Sequence, residues 1–226
     1  TNIGKSAFSG CSGLTSVTIP KGVTSIGNNT FYNCSNLTSV TIPDGVTSIG
    51  DYAFQNCASL TSITIPESVT SIATRTFTGC TSLPIENHVR YADKWALEVD
   101  DNTLEQYTLK DNTKGLLNTF YGCKNLTSIT IPASVTSICG AAFYDCSSLT
   151  SITIPEGVTS IDGSAFYNCS SLTSITIPES VTSIGESAFS ACTGLTSITI
   201  PEGVTSIGKS AFKECSALKE ITCKVI

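Results

Sequence analysis

The chain has 226 residues, a net charge of −6 and only 13% charged residues, against 40% apolar ones. That balance supplies enough apolar side chain for a core and excludes a disordered chain. The absence of a basic stripe that would displace phosphate counterions excludes nucleic-acid binding, and no apolar run reaches the roughly 18 residues of a membrane span.

A 23-residue period organises most of the chain. Leu14, Leu37, Leu60 and Leu83 are 23 apart, as are Leu126, Leu149, Leu172, Leu195 and Leu218. The chain enters in mid-unit, since Ile3 and Phe8 align with Ile26 and Phe31. No methionine and no secretory leader are present, so the chain is expected to be a fragment whose targeting information lies outside it. Full units follow over 14–36, 37–59 and 60–82. In the first, Val17 and Ile19 alternate with Ser16 and Thr18, which predicts a short strand with apolar side chains inward and hydroxyls outward. Pro20 ends it, because proline cannot donate to a sheet ladder. Seven of the eight prolines stand at this position. Gly22, or a serine in its place, makes a turn, and Val23 to Ile26 form a second extended piece. The stretch through Phe31 and Cys34 is predicted as a tight helical or 3-10 turn leading to the next leucine. One unit alone buries too little to offset the entropy of its own ordering, so the units must stack.

After Leu83 the pattern breaks. Residues 84–119 hold 11 of the 30 charged residues, the only histidine, His88, and the only tryptophan, Trp95. Val89 to Tyr91 and Trp95 to Val99 alternate, and Asp100-Asp101-Asn102 suits a turn, so 84–103 reads as a hairpin-like insertion. A helix over 87–99 is the competing reading. A degenerate unit occupies 104–125, one residue short, with Tyr107 to Leu109 at the strand position. Regular units resume over 126–148, 149–171, 172–194 and 195–217, and 218–226 begins another. The expectation is a single repeat solenoid of the leucine-rich-repeat class over 1–226, with about eight 23-residue units. It would consist mostly of short parallel β-strands with turns and short helical or 3-10 segments. Uncapped end units would offer end-to-end self-contact.

Nine of the eleven cysteines share one phase of the repeat, Cys11, Cys34, Cys57, Cys80, Cys123, Cys146, Cys169, Cys192 and Cys215. Beside the core phenylalanine, cysteine serves as a small buried hydrophobe, and identical rungs select no disulfide pairing. Free, inert thiols are expected. Cys139 and Cys223 lie off this column, and Cys139, at a glycine position, is expected to be more exposed. No metal-ligand spacing or cofactor motif is present, so no metal and no cofactor are predicted. Catalysis is not expected either. A hydrolase would have to use His88 as its base, the remotest of the readings.

Two surfaces are candidates for partner binding. Outward-facing Thr41, Thr64, Thr130 and Thr153 belong to a threonine column beside a parallel serine column, stacked at about 4.8 Å. Such hydroxyls also simply keep an exposed sheet soluble. In the irregular segment, Arg90, Tyr91, Trp95 and Tyr107 are residue types that anchor interfaces. Alternatively, Trp95 fills the core where the repeat breaks.

The repeated L-T-S-[IV]-T-I-P and A-F-x-x-C landmarks resemble the BspA-like (Treponema-type) leucine-rich repeats. Gly22, Gly45, Ser68 and Ser134 stand where commoner leucine-rich repeats carry a ladder asparagine. The resemblance implies a bacterial extracellular or cell-surface protein that mediates adhesion, with a host matrix or cell-surface protein or glycan as partner. A structural spacer that projects other domains is the alternative.

Overall fold

The computed structural model describes residues 1–223. It contains no helix among them. The chain divides into two compact units, one formed by Thr1–Ile85 with Arg90–Leu97 and the other by Glu86–Val89 with Glu98 onward.

The first unit is a parallel β-solenoid whose period is the sequence repeat. One ladder joins Asn2–Ile3, Ser25–Ile26, Ser48–Ile49 and Ser71–Ile72, with Ile3, Ile26, Ile49 and Ile72 in register. A second joins Ser16–Thr18, Ser39–Thr41 and Ser62–Thr64. Val17, Val40 and Ile63 alternate inward there while the flanking Ser and Thr stay exposed, as the period-2 pattern requires. The core between the ladders holds Ile26, Phe31, Cys34, Leu37 and their counterparts one repeat on, all buried. Phe8, Phe31, Phe54 and Phe77 form one stack with centroids 5.2–5.5 Å apart.

The second unit repeats the plan. Gly115–Leu116, Ser137–Ile138, Ser160–Ile161, Ser183–Ile184 and Ser206–Ile207 form its first ladder. Its second ladder contains Ser128–Ile129 with Ser151–Ile152, and Ser197–Ile200 with Glu220–Cys223. Thr108 bridges to Thr130, so Tyr107 to Leu109 stand at the strand position in the short unit. Tyr107 packs on Phe120 at 5.2 Å and 52°, beside the stack that runs from Phe120 to Phe212.

The third side of each coil carries single turns of the 3-10 type, with no helix among the described residues. Single turns close there, Tyr32 N–H to Asn29 O and Cys34 N–H to Phe31 O at 3.2 Å each, but no run of them builds a helix. Asn29 and Asn33 have φ of 56° and 58°, left-handed values that interrupt a right-handed helix after each turn. The N–H groups of Asn29, Phe31 and Asn33 instead donate to Asp51, Ala53 and Gln55 of the next coil at 2.7–2.9 Å. Coils are therefore joined by a third hydrogen-bonded ladder, outside any strand.

The irregular segment is built of strands, Ile85–Glu86, Val89–Ala92 and Trp95–Val99, rather than a helix. Asn87 and His88 both have positive φ, 49° and 66°, the backbone of a two-residue type I′ turn.

Candidate functional site

The residues predicted to contact a partner separate into two groups. Tyr91 and Trp95 are 0% and 1% exposed, so they belong to the core where the repeat breaks and offer no face to a ligand. Tyr107 is also buried. Its hydroxyl donates to the Asp101 carbonyl, and Cys123 Sγ lies 3.9 Å away. Arg90 directs its guanidinium to the carbonyls of Thr81 and Leu83 at 2.6 and 2.7 Å. These roles are internal.

Neighbouring residues of the insertion do similar work in the first unit. Ile42 N–H donates to Thr64 O of the next coil at 3.0 Å, whereas the equivalent Ile65 N–H donates to the Asp93 carboxylate at 2.9 Å. A side chain here replaces the carbonyl of a following coil, and Lys94 pairs with Glu67 beside it. The segment thus terminates a ladder, satisfying a donor that would otherwise be orphaned. No sequence motif announces this; an acidic residue where the strand proline pattern stops is the only trace.

Thr41, Thr64, Thr130 and Thr153 are all exposed on the strand side. Three threonine columns run along the coils, and they differ. Thr38 and Thr61 hydroxyls donate to the carbonyls of Thr15 and Thr38, and Thr47 and Thr70 hydroxyls to those of Thr24 and Thr47, at 3.0–3.4 Å. Among the described residues no such internal bond is made by Thr18, Thr41 and Thr64 in the first unit or by Thr130, Thr153, Thr176 and Thr199 in the second. In the first unit this column borders a groove floored by Ile19, Ile42, Pro43 and Pro66, with Lys21 and Asp44 at the rim. In the second unit Thr176 and Thr199 border one with Pro178 and Pro201 and an acidic rim of Glu156 and Glu179.

The cysteines are free, and eight of the eleven are buried. In the regular coils the column thiol donates to the carbonyl of the phenylalanine one coil earlier, Cys57 to Phe31 at 3.2 Å and Cys192 to Phe166 at 3.0 Å, whereas Cys123 accepts from the Tyr107 hydroxyl. Burial pushes Cys34 and Cys123 up to about 11 and Cys192 up to about 12. Cys139, expected to be more exposed, is instead buried, and its thiol is pushed up to about 12 by that burial. Nucleophilic thiolates do not form under such conditions. His88, the residue a hydrolase would need, is exposed and pairs through Nδ1 with Asp100 Oδ1 at 2.9 Å. Among the described residues no serine or cysteine hydrogen-bonds its ring.

A self-satisfied core with repeated exposed hydroxyl columns defines a repeat scaffold protein. The chain belongs to the BspA-type leucine-rich-repeat family: a BspA type leucine rich repeat region, in six copies, matches residues 1–116 and 117–225. A leucine rich cell surface protein of Faecalibacterium prausnitzii is 28% identical with a TM-score of 0.59, over 99% of this chain and 83% of that one. A leucine-rich repeat protein of Bacteroides ovatus is 27% identical with a TM-score of 0.51, over 100% of this chain and 78% of that one. The pneumococcal vaccine antigen PcpA, 20% identical with a TM-score of 0.56 over 94% of this chain and 68% of that one, shares the fold. No curated protein matches the chain.

Proposed function

We propose that the chain is a surface-displayed bacterial binding module whose strand faces hold an extended host polymer, a matrix or cell-surface protein or a glycan. The observation that carries this reading is the division among the threonine columns. Hydroxyls of two columns are used between coils, while the third column keeps its hydroxyls for solvent beside an apolar groove floor. Hydroxyls both donate and accept, so a column of them can follow the alternating polar groups of an extended chain. The likeness to a cell surface protein of F. prausnitzii supports the location, and no described helix is long and apolar enough to cross a membrane.

The test is a solid-phase binding screen against host matrix proteins and glycans, repeated with a Thr41→Val/Thr64→Val double variant. Valine keeps the strand preference and the branched shape but removes the hydroxyls. The variant is expected to weaken capture by about tenfold or more, as several lost hydrogen bonds imply. A chain that captures nothing in the screen would be a spacer projecting other domains, and equal capture by both forms would remove the strand face from the reading.

A further inference from the structure

The tyrosines that follow the core phenylalanines form a stack of their own in the second unit. Tyr121 lies on Tyr144 at 4.8 Å and 8°, and Tyr144 on Tyr167 at 4.7 Å and 9°. Tyr121 begins this stack, and it is 55% exposed although one face is covered by Tyr144. It also lines a cleft with Glu98, Asp100, Asn102 and Asn118. Where a preceding regular coil would supply another side chain of the column, the irregular segment leaves this opening.

Asp100 on the wall of the cleft, and the turn that follows it, are held in place. Asp100 accepts from His88 Nδ1 at 2.9 Å, and its backbone N–H donates to His88 O at 3.0 Å. One residue on, Asp101 accepts from both the backbone N–H and the hydroxyl of Thr103, at 2.9 and 2.6 Å. A wall held this way loses little freedom when a ligand arrives.

We propose that this cleft is a binding subsite for a single pyranose unit of a glycan, separate from the strand-face grooves. A pyranose presents a face of C–H bonds and a rim of hydroxyls. An open aromatic face covers the first, and amides and carboxylates take the second, since an amide both donates and accepts. Asp100 already accepts one hydrogen bond from His88, and its remaining lone pairs can accept from a hydroxyl.

The full chain is titrated with methyl pyranosides of glucose, galactose, mannose and N-acetylglucosamine, and with an oligolysine peptide, followed by saturation-transfer and amide-shift NMR. At least one pyranoside is expected to shift Tyr121, Asn102 and Asn118 together. Tyr121→Ala should weaken that binding by about tenfold or more, Tyr121→Phe should restore it, and Tyr167→Ala should leave it unchanged. Thermal melts of each variant separate lost binding from lost folding, and the phenylalanine variant retains the ring should the alanine variant misfold. The proposal is overturned if no pyranoside shifts these residues, if only oligolysine does, or if Tyr121→Ala and Tyr167→Ala behave alike. Thr41→Val/Thr64→Val lies in the other unit and should leave pyranoside binding intact, so the two sites fail independently.

Discussion

The thiol of Cys57 donates to the carbonyl of Phe31 one coil earlier at 3.2 Å, while the ring of Phe31 stacks on Phe54 at 5.2 Å. This coil is therefore fastened to the one before it by a sulfur hydrogen bond and an aromatic contact contributed by residues three apart in sequence, Cys57 and Phe54. The pair recurs with Cys169 and Phe143, and with Cys146 and Phe120.

Removing an interior thiol should cost more than its size suggests. Cys169→Ala deletes a buried sulfur and its donor to Phe143, for an expected loss of about 1–3 kcal/mol. Cys11→Ala, at an exposed cysteine of the same column, should stay within about 0.5 kcal/mol. Urea unfolding of both variants measures the difference; equal losses would deny the interior thiol any special role.

Alkaline pH should destabilise the protein through the same column. In the unfolded chain the thiols ionise near their ordinary 9.0, whereas folded Cys34 and Cys123 resist until about 11 and Cys192 until about 12. Above pH 9.0 the unfolded state holds fewer protons than the folded state, so stability falls as pH rises through this window. Denaturation midpoints measured from pH 8 to pH 11 should decline more steeply in the parent chain than in a variant with Cys34, Cys123 and Cys192 replaced by alanine.

Thiol accessibility gives an independent reading. Cys11 and Cys223 are exposed and should react quickly with a water-soluble thiol reagent in the native protein, while the buried cysteines react slowly. All eleven should react after denaturation. Fewer than eleven reactive thiols in the unfolded chain would reveal disulfides and contradict the free ladder.

Asp93→Ala should loosen the first unit at the place where its strand ladder ends. The Ile65 amide loses its carboxylate acceptor at 2.9 Å, an expected cost of about 1–3 kcal/mol for a hydrogen bond to a charged group. Hydrogen exchange at Ile65 should accelerate far more than at Ile42, whose acceptor is the Thr64 carbonyl. Uniform exchange at the two amides would show that the insertion does not terminate the ladder.

The repeat pattern made the strands, their register and the inward phenylalanine and cysteine columns legible, because period-2 alternation and 23-residue phase are local properties. The turn side was not legible in the same way. Its left-handed positions are occupied by Tyr52, Ala141 and Glu214 as well as by asparagine, so residue type does not mark them; the inter-coil hydrogen bonds impose the conformation. Arg90 and Asp93 were likewise opaque. Their partners, Leu83 and Ile65, are fixed by stacking rather than by neighbouring sequence. Trp95 and Tyr91 resembled interface anchors because a break in a repeat needs large side chains to fill it, and composition alone does not separate filling from binding.

The bonds between coils run from residue to residue about one repeat away, as in Thr61 to Thr38 and Phe54 to Thr76. Under tension such a stack of coils therefore yields one boundary at a time. An end coil can peel away without disturbing the coils beyond its neighbour, paying out about 80 Å of extended backbone for each 23-residue coil. Pulled in a flow, the regular coils within a unit would lengthen in similar increments and dissipate the load stepwise, behaving as a shock absorber.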